Sequence, residues 1–317
     1  MDRRILITGA AGFIGAHLQK HLEDNGWNCI GLDNYNSHLY DANLKADRVH
    51  AFDIEVRNID LRDRERLERI LEDHPPTDII HLAAYAGVRD SYGKETEYHS
   101  NNIDATQILI DTVKKVNPNI RIIYASTSSV YAGSPVPFKE DQLLQMPLNP
   151  YSWSKRTNEC QFTASGLKVV GLRFFTVYGP WGRPDMALFT FTKKLLDKEP
   201  IDVYNYGDMK RDFTYIDDIV QGIVCVLNND DIPSGEIFNI GRGKQVQLME
   251  FISEIEKNVG SIARKNMLPR HPADALETWS DTTKLQTLGY NPSTDVSVGV
   301  KEFYKWYYRR YNEDYNG

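Results

Sequence analysis

The sequence predicts an α/β fold: a doubly wound parallel sheet followed by a smaller C-terminal lobe. Three observations predict it. Short apolar runs alternate with helical patterns from residue 4 to about 174, a glycine triplet separates the first run from the first helical pattern, and the alternation loosens after residue 173. Strands alternating with helices imply crossover connections, hence parallel strands covered on both faces. The chain has 317 residues, of which 41% are hydrophobic and 26% charged, a composition that supports one large or two ordinary globular domains.

"RILIT" (4–8) is a short β-type run, followed by "GAAGFIG" and a helical pattern through "AHLQKHLEDNG". "NCIGLD" ends in Asp33, after which a polar loop leads to "DIEVRNID", a charged helix over 63–73 and the strand "DIIHLAA". A long helix is predicted from about 96 to 117, then the strand "IRIIYAS", a helix opened by Tyr151 and the strand "KVVGLRFF". Beyond these come "YGPWGRPDM", a helix near 186–197 and turn-rich segments. We expect a first domain over 1–175, with 213–240 returning to it, interleaved with a smaller lobe over 176–317. The tail "KEFYKWYYRRYNEDYNG" carries aromatics at helical spacing, as a helix packed on the domain does.

A net charge of −7 offers no basic field for nucleic acid or an anionic membrane. "MDRRILITGAAGFIG" is neither a secretory h-region nor a membrane span, and no later segment is long and apolar enough to span. Cys29, Cys160 and Cys225 are far apart and lack metal-ligand spacing, so no metal site or disulfide frame is expected. The expectation is a cytoplasmic enzyme.

Gly9, Gly12 and Gly15, with Phe13 and Ile14 among them, form G-x-x-G-x-x-G between a strand and a helix. Glycines there let the backbone approach a pyrophosphate, and the helix N-terminus supplies N–H donors and a positive dipole end. Asp33, about 20 residues on and followed by Asn34, suits the adenosine ribose hydroxyls and repels a 2′-phosphate, favouring NAD over NADP; a plain turn after the strand is the alternative. Asp60, followed by Leu61, is placed to hold the adenine edge. In "HLAAYAG" (81–87), the small residues after the strand, Leu82, Ala83, Ala84 and Ala86, leave room for a cofactor. Asn102 reads as a structural hydrogen-bonding residue.

"NPYSWSKRTNE" (149–159) sets Tyr151 and Lys155 four positions apart after a proline. In a helix beginning there, phenol and ammonium share a face. With 18 Tyr and 37 Lys plus Arg, about one such spacing arises by chance, so a surface pair is the plain alternative.

Together the glycine loop, Asp33, "HLAA", "YASTSSVYAG" and Tyr151-x-x-x-Lys155 resemble the extended short-chain dehydrogenase/reductase family over nearly the whole chain. The resemblance implies a Rossmann-type fold with bound NAD, and Tyr151 as catalytic acid/base. It also implies Lys155 on the nicotinamide ribose, lowering the tyrosine pKa, and Thr127 hydrogen-bonded to the reacting hydroxyl. An unperturbed phenol titrates near ~10, and adjacent positive charge favours the phenolate.

"RFFTVYGPWGRPDMALF" (173–189), "AGVRDS" (86–91) and "GDMKRDFTYIDD" (207–218) look most like the family's UDP-glucuronate 4-epimerases. That likeness implies reversible C4 epimerisation of a UDP-hexuronic acid through a 4-keto sugar, in a homodimer. It implies Thr176 and Arg183 at the nucleotide sugar, Arg211 at the diphosphate and Asp274 at the uridine ribose, with Val88 and Arg89 also on the substrate side. The hydroxyls of Ser128 and Ser129 are candidates to surround the sugar carboxylate. Solvated surface charge remains the alternative for Arg183 and Arg211, a turn for Asp274, and satisfaction of the strand end for the serines.

The chain departs from that pattern at Tyr85 (commonly Gln), Asp90 (commonly Tyr), the short "VYAGSPVPF" loop and His271 (often Arg or Gln). Three other readings stay open. One is a UDP-glucose or UDP-N-acetylglucosamine 4-epimerase, of which the UDP-glucose enzyme usually carries Asn where this chain has Thr176. A sugar-nucleotide decarboxylase or dehydratase carries an acid where "STSSVY" offers only Ser128 and Ser129. A non-catalytic dinucleotide sensor would need only the fold.

Overall fold

The computed structural model describes residues 3–272 and 274–312. Its centre is a seven-stranded, wholly parallel sheet. The first six strands are β1 (Arg4–Thr8), β2 (Asn28–Asp33), β3 (Val56–Asn58), β4 (Asp78–His81), β5 (Arg121–Thr127) and β6 (Val169–Phe174). The short strands β7 (Thr176–Tyr178), β8 (Ile201–Val203), β9 (Lys210–Arg211) and β10 (Phe213–Tyr215) follow, then β11 (Glu236–Ile240), β12 (Val246–Gln247) and β13 (Lys265–Met267). In space the large sheet runs β3-β2-β1-β4-β5-β6-β11. The order therefore reverses between β1 and β4, where open α/β sheets form a ligand crevice. Every residue of β5 and of β6 is buried, as expected of strands covered on both faces.

The helices are α1 (Phe13–Asp24), α2 (Ala42–Phe52), α3 (Arg64–Asp73), α4 (Glu95–Tyr98), α5 (Ala105–Val116), α6 (Pro150–Ala164), α7 (Ala187–Leu196), α8 (Ile216–Leu227), α9 (Leu248–Val259), α10 (Thr283–Gln286) and α11 (Val296–Tyr311). None is long and apolar enough to cross a membrane among the described residues.

Two expectations are corrected. The stretch read as a polar loop after Asp33 contains α2, whose buried positions are Leu44, Lys45 and Arg48, so no apolar stripe announces it. The single helix expected over 96–117 is α4 and α5 joined by a π-turn at His99–Asp104. Such turns concentrate at functional sites, and this one carries the buried Asn102.

The second core packs around the β7–β10 pair, with α7, α9 and α11: Phe213 stacks on Phe251 at 3.9 Å, and Phe189 meets Phe303 and Tyr307 edge-on. The aromatic tail helix is thus core through Tyr307, and residues 313–317 lie outside the described residues.

Candidate active site

One cavity lies along the C-terminal ends of β1, β2, β4 and β5 and reaches the start of α6. Gly9, with φ +74°, takes a conformation L side chains rarely adopt, and a Cβ there would lie 2.7 Å from the Ala83 nitrogen. A Cβ on Gly15 would lie 2.2 Å from the Gly9 carbonyl oxygen, so neither position tolerates a side chain without moving the turn. No side chain caps α1 at Gly12 and its first turn holds no acid, leaving N–H donors facing the cavity.

Asp33 is buried, and its Oδ1 accepts from the Tyr35 N–H at 2.7 Å and from Lys45 Nζ at 3.4 Å. Its Oδ2 has no hydrogen-bond partner among the described residues and is available to a ribose diol. Asp60 is held well below the usual carboxylate range, chiefly by Arg62, and accepts from Asn34 at 3.1 Å. Open backbone donors, small residues and a free carboxylate oxygen at one end fit a dinucleotide. Asp33→Ser should narrow the preference for NAD over NADP at least tenfold, because Lys45 would lose its carboxylate partner and face the 2′ position. Competition binding on cofactor-free protein measures this, and an unchanged ratio would show that Asp33 does not read the ribose.

At the other end, Asn149 caps α6 by accepting the Ser152 N–H at 2.8 Å, and Pro150 occupies its first turn. This start directs Tyr151 into the cavity, with Lys155 one turn on. Thr127, the last residue of β5, lines the cavity with Tyr151, its Oγ1 donating to Ser129 Oγ and accepting the Ser129 N–H, each at 3.2 Å. Asn102 donates to Ser154 Oγ at 2.9 Å and clasps the Tyr85 backbone at 2.7 and 2.9 Å, so the π-turn braces α6 against the end of β4.

The electrostatics differ from the expectation for the tyrosine. Burial pushes the Tyr151 phenol up, opposed by the Thr127 side chain and by Arg183 rather than by Lys155. Burial pushes the Lys155 ammonium down to about 8, opposed by Glu159. That ammonium has no hydrogen-bond or ion-pair partner among the described residues, although it is only 2% exposed.

A buried network missed by sequence reasoning supports Lys155. Glu159 accepts from Ser126 (2.6 Å), Arg156 (2.6 Å) and Arg173 (2.9 and 3.0 Å), while Arg173 donates to Tyr131 at 2.7 Å. The available signal is the spacing: Glu159 lies four residues after Lys155, on the same helix face. Also missed is Arg48, fully buried on α2. It donates to the Ala11 carbonyl in the glycine turn (2.6 Å) and the Trp181 carbonyl (2.8 Å), tying that turn to the loop that presents Arg183.

The structure brings Val88, Ser128, Ser129, Thr176 and Arg183 to the same cavity wall as Tyr151. It does not bring Arg89, Arg211 and Asp274 there. These three group beside the cavity: Arg89 pairs with Asp274 through two bonds of 3.2 and 2.6 Å and lies over the Tyr204 ring at 4.0 Å. Arg211 spends its guanidinium on the carbonyls of Lys210, Ala275 and Leu276. The side chain of Asp274 is thus committed to an arginine, a pairing set by tertiary contact that its local "HPAD" context does not indicate.

The model of the NAD dependent epimerase/dehydratase family matches residues 5–241. The chain is 38% identical to UDP-glucuronate 4-epimerase 4 of Arabidopsis thaliana, over 98% of this chain and 76% of that one. The crystal structure of UDP-glucuronic acid 4-epimerase from Bacillus cereus in complex with UDP-glucuronic acid and NAD superposes with a TM-score of 0.90 at 35% identity, covering 97% of this chain and all of that one. UDP-glucose 4-epimerase of Thermotoga maritima with UDP-glucose superposes with a TM-score of 0.86 at 27% identity, covering 97% of this chain and 99% of that one.

Proposed function

Since the chain belongs to the NAD dependent epimerase/dehydratase family, we propose that it interconverts UDP-glucuronate and UDP-galacturonate by reversible epimerisation at C4. The observation that carries this reading is the single cavity joining the glycine turn and Asp33 to Thr127, Tyr151 and Lys155. Bound NAD supplies a reversible hydride acceptor beside the sugar. Tyr151 Oη takes the proton of the 4-hydroxyl, Thr127 orients that hydroxyl, and the Lys155 ammonium binds the nicotinamide ribose. The 4-keto sugar then turns over within the pocket, so that the hydride returns to the opposite face of C4 while Tyr151 gives the proton back to the 4-oxygen.

Two features favour a uronate. Ser128, Ser129, Thr176 and Arg183 present hydroxyls and a guanidinium next to Tyr151, a set suited to a carboxylate. The described carboxylates lining the cavity, Asp33 and Asp60, both sit at the adenosine end. No acid beside Thr127 is therefore available to take the C5 proton that dehydration requires. A homodimer in the cytoplasm is part of this reading. Incubating purified protein with UDP-glucuronate, UDP-glucose and UDP-N-acetylglucosamine, without added cofactor, and identifying the products tests it. Conversion of UDP-glucose in preference to the uronate would transfer the assignment to the neutral-sugar epimerases, and tight NAD binding without turnover of any UDP-sugar would leave a dinucleotide sensor.

A uronate carries a hazard, because oxidation at C4 makes a β-keto acid that loses CO₂ when its carboxylate bond aligns with the carbonyl π system. The site must hold that bond out of alignment, a task for preorganised contacts. Arg183 is held by a two-bond pair with Asp185 at 3.0 and 2.5 Å, and its charge acts on Tyr151. Arg183→Ala is expected to yield less UDP-galacturonate and more UDP-4-keto-pentose, resolved by mass spectrometry at saturating substrate. An unchanged ratio of epimer to CO₂ would make Arg183 an anchor only.

A further inference from the structure

The dinucleotide of the proposed reaction has to run from Asp33 and Asp60 to Tyr151 and Lys155, across the ends of β1 and β4. Something already spans that path. His38, in the segment between β2 and α2, stacks on Tyr85, four residues beyond the end of β4, with ring centroids 3.9 Å apart and planes 19° from parallel. Strands β2 and β4 flank β1, so this contact bridges the strand end that carries the glycine turn. Both rings line the cavity.

The two sides of the bridge are built stiffly. On one, Asn34 donates to Asp60 at 3.1 Å, Asn36 donates to Asn34 Oδ1 at 2.7 Å, and the His38 N–H donates to Asn36 Oδ1 at 3.3 Å. On the other, the Asn102 side chain grips both backbone groups of Tyr85. Tyr98, fully buried and donating to the Ala86 carbonyl at 2.6 Å, sits edge-on to His38 at 5.3 Å and to Tyr85 at 6.0 Å. The junction itself is made differently: His38 Nε2 is buried without a hydrogen-bond partner among the described residues, so the His38 ring meets Tyr85 through ring contact, with Leu39 packed beside Gly87. Two braced arms meeting in a contact without hydrogen bonds can part at that contact.

We propose that His38 and Tyr85 are cofactor-retaining residues, a ring pair that closes over the dinucleotide and has to part for it to enter or leave. The inference rests on the cavity being the NAD site of the proposed function. It serves that function, since a cofactor regenerated in every cycle is best kept from exchanging.

Protein loaded with radiolabelled NAD, chased with unlabelled NAD and sampled on filters gives the release rate; mixing cofactor-free protein with labelled NAD gives the association rate. His38→Ala and Tyr85→Gln should each release NAD about three- to tenfold faster, the range a ring pair contributes. Association should accelerate as well, because the pair opposes entry and exit alike. The double variant should be no faster than the faster single, as for two residues sharing one contact. His38→Phe and Tyr85→Phe, which keep the rings and remove polar atoms, should exchange at the wild-type rate and also serve if the truncations fold poorly. Unchanged rates in the truncations, multiplicative effects in the double variant, or fast exchange in the Phe variants would overturn the ring pair. Faster release with association unchanged would likewise reduce it to an ordinary cofactor contact. A wild-type protein that retains no NAD would overturn the proposed function as well.

Discussion

Tyr151→Phe lowers epimerisation turnover by about 10²-fold or more, the loss expected when a general acid/base is removed, while NAD and UDP-sugar still bind. The change deletes one oxygen from a ring that is held at the cavity wall by the capped start of α6 and lies edge-on to Tyr98 at 6.3 Å, so the pocket keeps its shape. What disappears is the oxygen that moves the proton, on the cavity wall shared with Thr127. In the cofactor-free protein burial holds that proton on the phenol, which makes positive charge at the site a condition for reactivity. Steady-state rates with equilibrium binding of both ligands separate the two effects. Turnover near the wild-type value would end the mechanism proposed here.

Lys155→Met is expected to cut turnover and weaken NAD binding together, yet to leave the cofactor-free protein at least as stable at neutral pH. The ammonium is buried, lacks a hydrogen-bonding partner among the described residues, and is pushed down to about 8 from an ordinary value of 10.5. Between those two values the unfolded chain holds the proton more tightly than the fold does, so Lys155 makes stability rise with pH across that window. Below pH 8 its full cost is present, and a methionine of similar length removes it. The stability advantage of the variant should therefore shrink between pH 8 and pH 10.5, followed by denaturant unfolding. A variant that is less stable at pH 7 and binds NAD normally would mark Lys155 as a structural residue. Destabilisation tolerated for the sake of ligand binding is common at functional sites.

Much of this was legible in the sequence because it is encoded over short separations. The turn of Gly9, Gly12 and Gly15 follows β1 directly, Asp33 closes β2, and Tyr151 and Lys155 share a face because four residues make about one helical turn. Strand-helix alternation likewise implied a parallel sheet, and the buried runs of β5 and β6 carry its signature. Helix α2 was hidden for the converse reason: its buried positions include Lys45 and Arg48, and a charged face does not produce an apolar period.

Only the tertiary structure decided the rest, because those relations depend on which strand ends lie side by side. The order β2-β1-β4 sets His38 against Tyr85, 47 positions apart in the sequence. The β5–β6 pairing brings Ser126 and Arg173 to Glu159, and the packing of the segment after β13 against the segment after β4 commits Asp274 to Arg89 beside the cavity. Local spacing specifies which groups a single element presents; partners drawn from separate elements are chosen by packing and by the need to satisfy buried charge.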